Sequence, residues 1–197
     1  MKKIPNSIKT SHTTLTKIPT VRFSKWLKEF SEGQTAQKGS SVPCGDCRGC
    51  CTSGYFIHIH PDEKTTLAVI PKKLLFPAPG LPKGHVLLGY KENGHCPLFV
   101  DNQCSIYAVR PQTCRNYDCR IFAATGIKIE KDKPRIAEQI KRWQFDVTTK
   151  KENELLEFVR ASGKRLRREV NQNHKMALPL NATQVALLAL KDSGKFN

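Results

Sequence analysis

Eight cysteines hold most of the chemistry this sequence can do, and all lie between residues 44 and 119. Four fall in the octet Cys44-Gly45-Asp46-Cys47-Arg48-Gly49-Cys50-Cys51, and four follow at Cys96, Cys104, Cys114 and Cys119. Thiolates spaced Cys-x-x-Cys can chelate one ion, because a short turn carries both sulfurs to the same side. Cys44, Cys47 and Cys50 repeat that spacing, which also begins the bacterial four-iron four-sulfur ligand run. After Cys50 the sequence departs from that run, since the next cysteine is adjacent and no Cys-Pro follows at the ferredoxin interval.

Neighbouring side chains in an extended chain point to opposite sides. Cys50 and Cys51 therefore either feed two centres, or one ligates while the other packs. Eight thiols divide into two four-ligand sites, and a single centre with spare or resolving cysteines also fits. The competing reading for any one of them is a small buried hydrophobe. Zinc suits closed four-thiolate sites, whereas three cysteines at two-residue spacing plus distant ones suit an iron–sulfur cubane. The balance leans to iron–sulfur.

Arg48, Arg110, Arg115 and Arg120 stand beside these cysteines. They either offset the charge of a thiolate centre or make ordinary surface ion pairs. Asp46 and Asp118 also flank cysteines and read as turn or capping residues. His58 and His60 alternate on one strand face, and His95 abuts Cys96. Histidine is a common metal ligand, but eight thiols already fill two sites. No Gly-rich dinucleotide fingerprint, phosphate-binding Gly-Lys-Ser/Thr loop or Gly-x-Ser-x-Gly elbow is present.

The elements that must position these groups follow from periodicity. Residues 1–20 are polar without a clear period and read as a mobile arm. Arg22 to Phe30 reads as a short helix, with Phe23, Trp26, Leu27 and Phe30 on one face. Residues 31–41 read as a linker. Tyr55 to His60 is an expected strand, followed by a helix from Pro61 to Ile70. Residues 71–84 hold four prolines and read as an irregular loop. Val86 to Lys91 and His95 to Val100 are expected to form a hairpin about Glu92-Asn93-Gly94. A turn at 101–103 then leads to a third strand at Cys104–Ile106. This meander carries Cys96 and Cys104. Residues 107–117 turn helical, with Pro111 at a helix start. Three helices are expected afterwards, at 134–147, 151–171 and 181–191, the last capped by Asn181.

The chain has 197 residues and a formal net charge of +16. The charge is uneven: residues 1–43 carry +6, residues 44–120 carry +3 and residues 121–197 carry +7. A basic surface attracts polyanions at long range, so an acidic partner or nucleic acid could meet the flanks. A solvated helix face explains Lys164, Arg165, Arg167 and Arg168 equally. No run approaches the length of a membrane span. The N-terminus lacks the apolar segment of a signal peptide. A cytoplasmic setting follows, where thiols stay reduced and metal thiolate is favoured over disulfide.

The second half of the cluster reads Cys96-Pro97-Leu98-Phe99, Cys104-Ser105-Ile106-Tyr107, Arg110-Pro111-Gln112-Thr113-Cys114-Arg115, then Cys119. With the octet, these segments resemble the YkgJ-type cysteine-cluster family, a domain proposed to chelate zinc or iron, whose pattern is CxxCxxCC, CPxL, CxIY, RPxxCR and a last cysteine. The resemblance covers about residues 44–122. It implies that Cys44, Cys47, Cys50, Cys51, Cys96, Cys104, Cys114 and Cys119 ligate metal, as iron–sulfur or as zinc. Flagellin lysine N-methylases are similar in their cysteine cluster, which implies an iron–sulfur protein-modifying enzyme as one alternative. A zinc-stapled interaction module for nucleic acid or protein is another. The expected architecture is α+β: a basic arm and short helix over 1–43, a metal-binding domain with a short β-meander over 44–122, and a basic helical region over 123–197. The octet is expected to branch, feeding the Cys96–Cys104 meander on one side and the Cys114–Cys119 segment on the other.

Overall fold

The computed structural model describes residues 18–36, 38–172 and 180–194. Most of the arm expected over residues 1–20 lies outside them, but Ile18–Arg22 forms strand β1. It leads directly into helix α1, Phe23–Thr35. That helix runs past the expected stop at Phe30 into the supposed linker. Gly33 is what permits this: a Cβ there would meet the carbonyl oxygen of Gly39 at 2.5 Å, so the returning chain lies flat on the helix.

The middle of the chain is short-ranged. Strand β2 is Ile57–Ile59, α2 is Lys64–Val69, β3 is Leu75–Pro77 and β4 is Val86–Leu88. They form an antiparallel sheet in the order β2-β4-β3. The expected loop at 71–84 thus contains an edge strand, with Pro77 where a missing N–H is tolerated. The expected hairpin between 86–91 and 95–100 is replaced. Its turn does form, since the Gly94 N–H donates to the Lys91 carbonyl at 2.8 Å and the Lys91 N–H to that of His95 at 2.8 Å. The ladder stops there because the Cys96 N–H donates to the Cys51 carbonyl at 2.8 Å, drawing the return strand to the octet, and Pro97 has no N–H to offer. Phe99–Val100 (β5) instead pairs with Gln103–Cys104 (β6). Asp101 and Asn102 turn between them with φ of 48° and 59°, the paired positive angles of a tight hairpin.

Helix α3 is Gln112–Asn116, entered through Pro111, and α4 is Arg120–Thr125. Helix α5 covers Pro134–Arg142. The helix expected to continue to residue 147 ends there, and Trp143–Asp146 becomes β7, parallel to β1. Trp143 and Phe145 suit a strand, and β1 supplies the partner that periodicity alone does not reveal. Helix α6 is Lys150–Gln172 and α7 is Ala182–Asp192, the latter held by an Asn181–Gln184 capping box.

The expected α+β class is what the chain adopts. Two apolar clusters organise it. The larger joins Phe23, Trp26 and Phe30 of α1 to Phe122, Ile136, Trp143, Leu156, Val159, Val185 and Leu190. Phe145 fits among the α1 rings, 4.9 Å from Trp26 and edge-on to Phe23 at 5.3 Å between centroids. The smaller cluster is Ile59, Ile70, Leu88 and Leu98 under the three-stranded sheet, with Cys96 packed against it. No helix among the described residues is long and apolar enough to cross a membrane.

Candidate metal centre

The octet folds as two linked turns. The Cys47 N–H donates to the Cys44 carbonyl at 3.0 Å and the Cys51 N–H to that of Arg48 at 3.0 Å. Gly49–Thr52 is a single turn of 3-10 helix carrying Cys50 and Cys51. Its buried Gly49 lies on α5, where a Cβ would stand 3.1 Å from Ile136 Cγ1 and 3.3 Å from the Ile136 nitrogen. The Arg48 guanidinium donates to the carbonyls of Gly45 at 2.8 Å and Asn102 at 3.0 Å, tying the octet to the β5–β6 turn.

All eight cysteines are free thiols. Their leading electrostatic neighbours differ on the two sides of the Cys50–Cys51 bond, although Cys51 also acts on Cys50 and Cys44 on Cys51. Burial raises the Cys50 thiol well above its ordinary value, and Cys119, Cys44, Cys51 and Cys47, in that order, raise it further. Burial pushes Cys119 up to about 12, with Asp118, Cys44 and Cys47 adding to the shift. Burial likewise raises Cys44, followed by Cys47. The second group begins at Cys51, which burial, Cys104 and Cys96 push up to about 11, with Cys44 adding less. Cys114 is pushed up to about 12 by burial, then by Cys96, Cys51 and Cys104. Burial also raises Cys96, with the Leu98 N–H opposing and Cys104 adding. Cys50 is exposed as a residue, yet its sulfur is crowded by neighbours. Cys50 and Cys51 thus have different leading neighbours, and the later cysteines group otherwise than as a Cys96–Cys104 arm and a Cys114–Cys119 arm. Cys114 keeps company with Cys96 and Cys104, while Cys119 turns back to Cys44, Cys47 and Cys50. The short link 115–118 is enough to separate them, because α3 ends at Asn116 and Cys119 opens α4.

Cys119 is set by a buried network. Asp118 and Arg120 form an ion pair at 2.7 Å, with side chains 0 % and 6 % exposed. Asp118 also accepts from Trp26 Nε1 at 3.1 Å and from the Arg120 N–H at 2.9 Å. Arg120 donates onward to the Ser41 carbonyl at 3.0 Å. So Asp118 closes a side-chain turn onto the Arg120 N–H, the turn role among those expected, and also joins α1, the lead-in to the octet and α4. Trp143 Nε1 donates to Cys119 Sγ at 3.2 Å. Of the four arginines, Arg48 and Arg120 lower the Cys44 thiol, Arg48 lowers Cys51 and Arg110 lowers Cys114. Arg115 instead bonds Gln112 at 2.7 Å and approaches Glu63 at 3.8 Å.

Mutual repulsion among clustered thiolates in a desolvated site is what a bound cation relieves. Two further observations fit such a group. The hydroxyls of Tyr55 and Tyr117 are buried without a well-formed hydrogen bond among the described residues. Both phenols lie within the electrostatic influence of Cys50, and Tyr117 also within that of Cys119. The two phenols interact with each other, and that leaves at least one O–H free to donate to a sulfur acceptor. Among the described residues no three Cys, His, Asp or Glu donors are already drawn around one point as a finished shell.

The histidines lie elsewhere. His58 and His60 face His85, and the His95 ring packs edge-on to Phe99 at 5.7 Å. Trp143, Tyr55, Tyr117 and Trp26 were not foreseen as site residues. The only signal in the sequence is that each is an aromatic with a polar atom to satisfy.

Comparison with known proteins yields a family and little else: no curated protein and no solved structure matches. A family model does match, over residues 43–153. It extends well beyond the last cysteine, and the structure explains the extra length, since α5 backs Gly49 and β7 supplies the donor to Cys119. The matched stretch is more than half of the chain, which therefore belongs to the CxxCxxCC family, described as a "Putative zinc- or iron-chelating domain".

Proposed function

We propose that the chain is a metal protein with two four-thiolate centres, one held by Cys44, Cys47, Cys50 and Cys119, the other by Cys51, Cys96, Cys104 and Cys114. The observation that supports this most is that the leading neighbours differ across the Cys50–Cys51 bond, Cys119 and Cys44 for Cys50 and Cys104 and Cys96 for Cys51. The first set has the triple two-residue spacing plus a remote cysteine that suits an iron–sulfur cubane. The second takes its ligands from three separate elements and the loop that carries Cys96, and suits a closed zinc site that staples them. The residues' own contribution is to exclude water around Cys119, to present the Trp143 N–H to its sulfur, and to place cationic Arg48, Arg110 and Arg120 nearby. An iron–sulfur group would supply electron transfer, on its own or in support of a protein-modifying reaction. A cytoplasmic setting keeps such thiols reduced.

A second reading is an interaction module on basic flanks. Its support is the stripe Arg160, Lys164 and Arg168, one turn apart on α6 and exposed. It suits an acidic partner or nucleic acid.

Anaerobic purification with iron, zinc and sulfide analysis tests the centres, using Cys119→Ser and Cys114→Ser. The expected result is iron, sulfide and a visible absorption band that Cys119→Ser removes, and zinc that Cys114→Ser removes. Zinc alone without colour sinks the iron–sulfur assignment. Loss of all metal in either variant sinks the two-centre reading.

A further inference from the structure

The outer face of the three-stranded sheet gathers three of the six histidines in the chain. Ile59 pairs with Val86 and His58 with Leu87, so the next position out sets His60 opposite His85. Alternation puts residues 58, 60 and 85 on the same face, away from Ile59 and Leu88 of the smaller core. The rings meet there. His58 Nε2 lies 2.9 Å from His85 Nδ1, with the two ring planes 10° apart. The His60 ring stands perpendicular to His85, with centroids 4.6 Å apart. None of the three is hydrogen-bonded to a cysteine.

Two imidazole nitrogens at 2.9 Å share one proton, since one must donate and the other accept. A divalent ion can replace that proton and take both lone pairs. The third ring is also prepared. Nδ1 of His60 bonds the Asp62 carboxylate, and the His60 backbone N–H donates to Glu63 Oε1 at 2.9 Å. A carboxylate on one ring nitrogen fixes the tautomer and frees the other, which is how metal-ligating histidines are usually oriented. Burial and the neighbouring rings of His85 and His60 lower the His58 pKa, which favours the neutral, ligating form.

We propose that His58, His60 and His85 form an imidazole site for a borderline divalent cation of the zinc, nickel or copper class, separate from the thiol centres. Neutral imidazoles select that class over magnesium and calcium. Among the described residues three donors are not already drawn around one point, so His58 and His85 are the fixed pair and His60 closes on binding. The proposal stands independently of which metal the thiols hold.

The test is zinc titration of the full chain, with its thiol centres as isolated, followed by the ring-nitrogen resonances of the histidines. One added equivalent should shift His58 and His85 together and stop both from titrating with pH. The pair of substitutions His58→Gln and His85→Gln should remove one equivalent of bound zinc while leaving thiol-bound metal unchanged. His60→Gln alone, on a ring at the rim of the sheet, should weaken this zinc by ~10-fold or more. Ring nitrogens that keep free-imidazole shifts in excess zinc overturn the proposal. So does a double variant that binds as much added zinc as the parent. Because the imidazole resonances report this site directly, its failure is distinguishable from a failure of the thiol-centre reading.

Discussion

The two thiol sets rest on different foundations. Cys119 belongs to the large apolar cluster, fixed by the Asp118–Arg120 pair, by Trp26 through Asp118, and by the Trp143 donor. Cys96 packs only on the edge of the small cluster of Ile59, Ile70, Leu88 and Leu98. The strands around the second set are two or three residues long. Few ladder bonds and a small core give little stability of their own. The first set is thus positioned by packing, and on the proposed reading the second would be ordered largely by the metal its thiols hold. Chain sites held by packing lose their ligand when the packing breaks, and sites held by the ligand lose their packing when the ligand leaves.

The sharpest way to break this contrast is Asp118→Ala. It leaves Arg120 charged and unpaired at 6 % side-chain exposure. Breaking a buried pair this way costs about 3–5 kcal/mol. Denaturant unfolding should show that loss, and the metal of the first set should go while that of the second stays. Equal loss from both would mean the sets are not separately supported.

A smaller effect is expected from Gly49→Ala, which drives a methyl group to 3.1 Å from Ile136 and against the α5 backbone. Overpacking of this kind costs about 1–3 kcal/mol. The octet should move off α5, lowering thermal stability and retention of the first metal. An unchanged Tm would show that α5 does not brace the octet.

The smallest change sharpens the comparison as a control. Glu152 accepts from Arg22 at 3.0 Å and from the Thr148 N–H at 3.0 Å, far from any cysteine in sequence. The Arg22 hydrogen bond, then those of Ser24 and Thr148, hold its carboxyl well below the usual carboxylate range. A depressed folded pKa contributes stability above the unfolded value of about 4.3, and that contribution fades as pH falls toward the folded value. Glu152→Gln should therefore lower Tm at neutral pH without metal loss. The gap between variant and parent should narrow on acidification below about pH 4. A gap that is constant with pH would show that the carboxylate charge is not what stabilises the β1–α6 junction.

Much of the helical frame was legible in advance. The α1 stripe Phe23, Trp26, Leu27 and Phe30 is buried as its spacing predicts, and α6 and α7 appear within a residue of the expected bounds. Local signals decide those elements: apolar spacing, Asn181 as a cap, Pro134 at a helix start. Residues 134–147 misled because Ile136 and Ile140 set a helical period that Trp143 happens to continue. A strand partner from β1, more than a hundred residues away, overrides it. The 86–100 hairpin misled for a related reason, since a bond from Cys96 to the octet outweighs the local ladder.

The cysteine motifs by themselves pointed to a thiol-clustered chelating domain, which the family match bears out, and the adjacent Cys50 and Cys51 raised the expectation of a branch. Only the tertiary structure decided which later cysteines lie near which part of the octet. Nothing in the spacing of Cys114 and Cys119 says that they part company. They do so because α3 lies with the small sheet and α4 enters the large core, where a buried ion pair holds Cys119 facing back toward Cys44, Cys47 and Cys50.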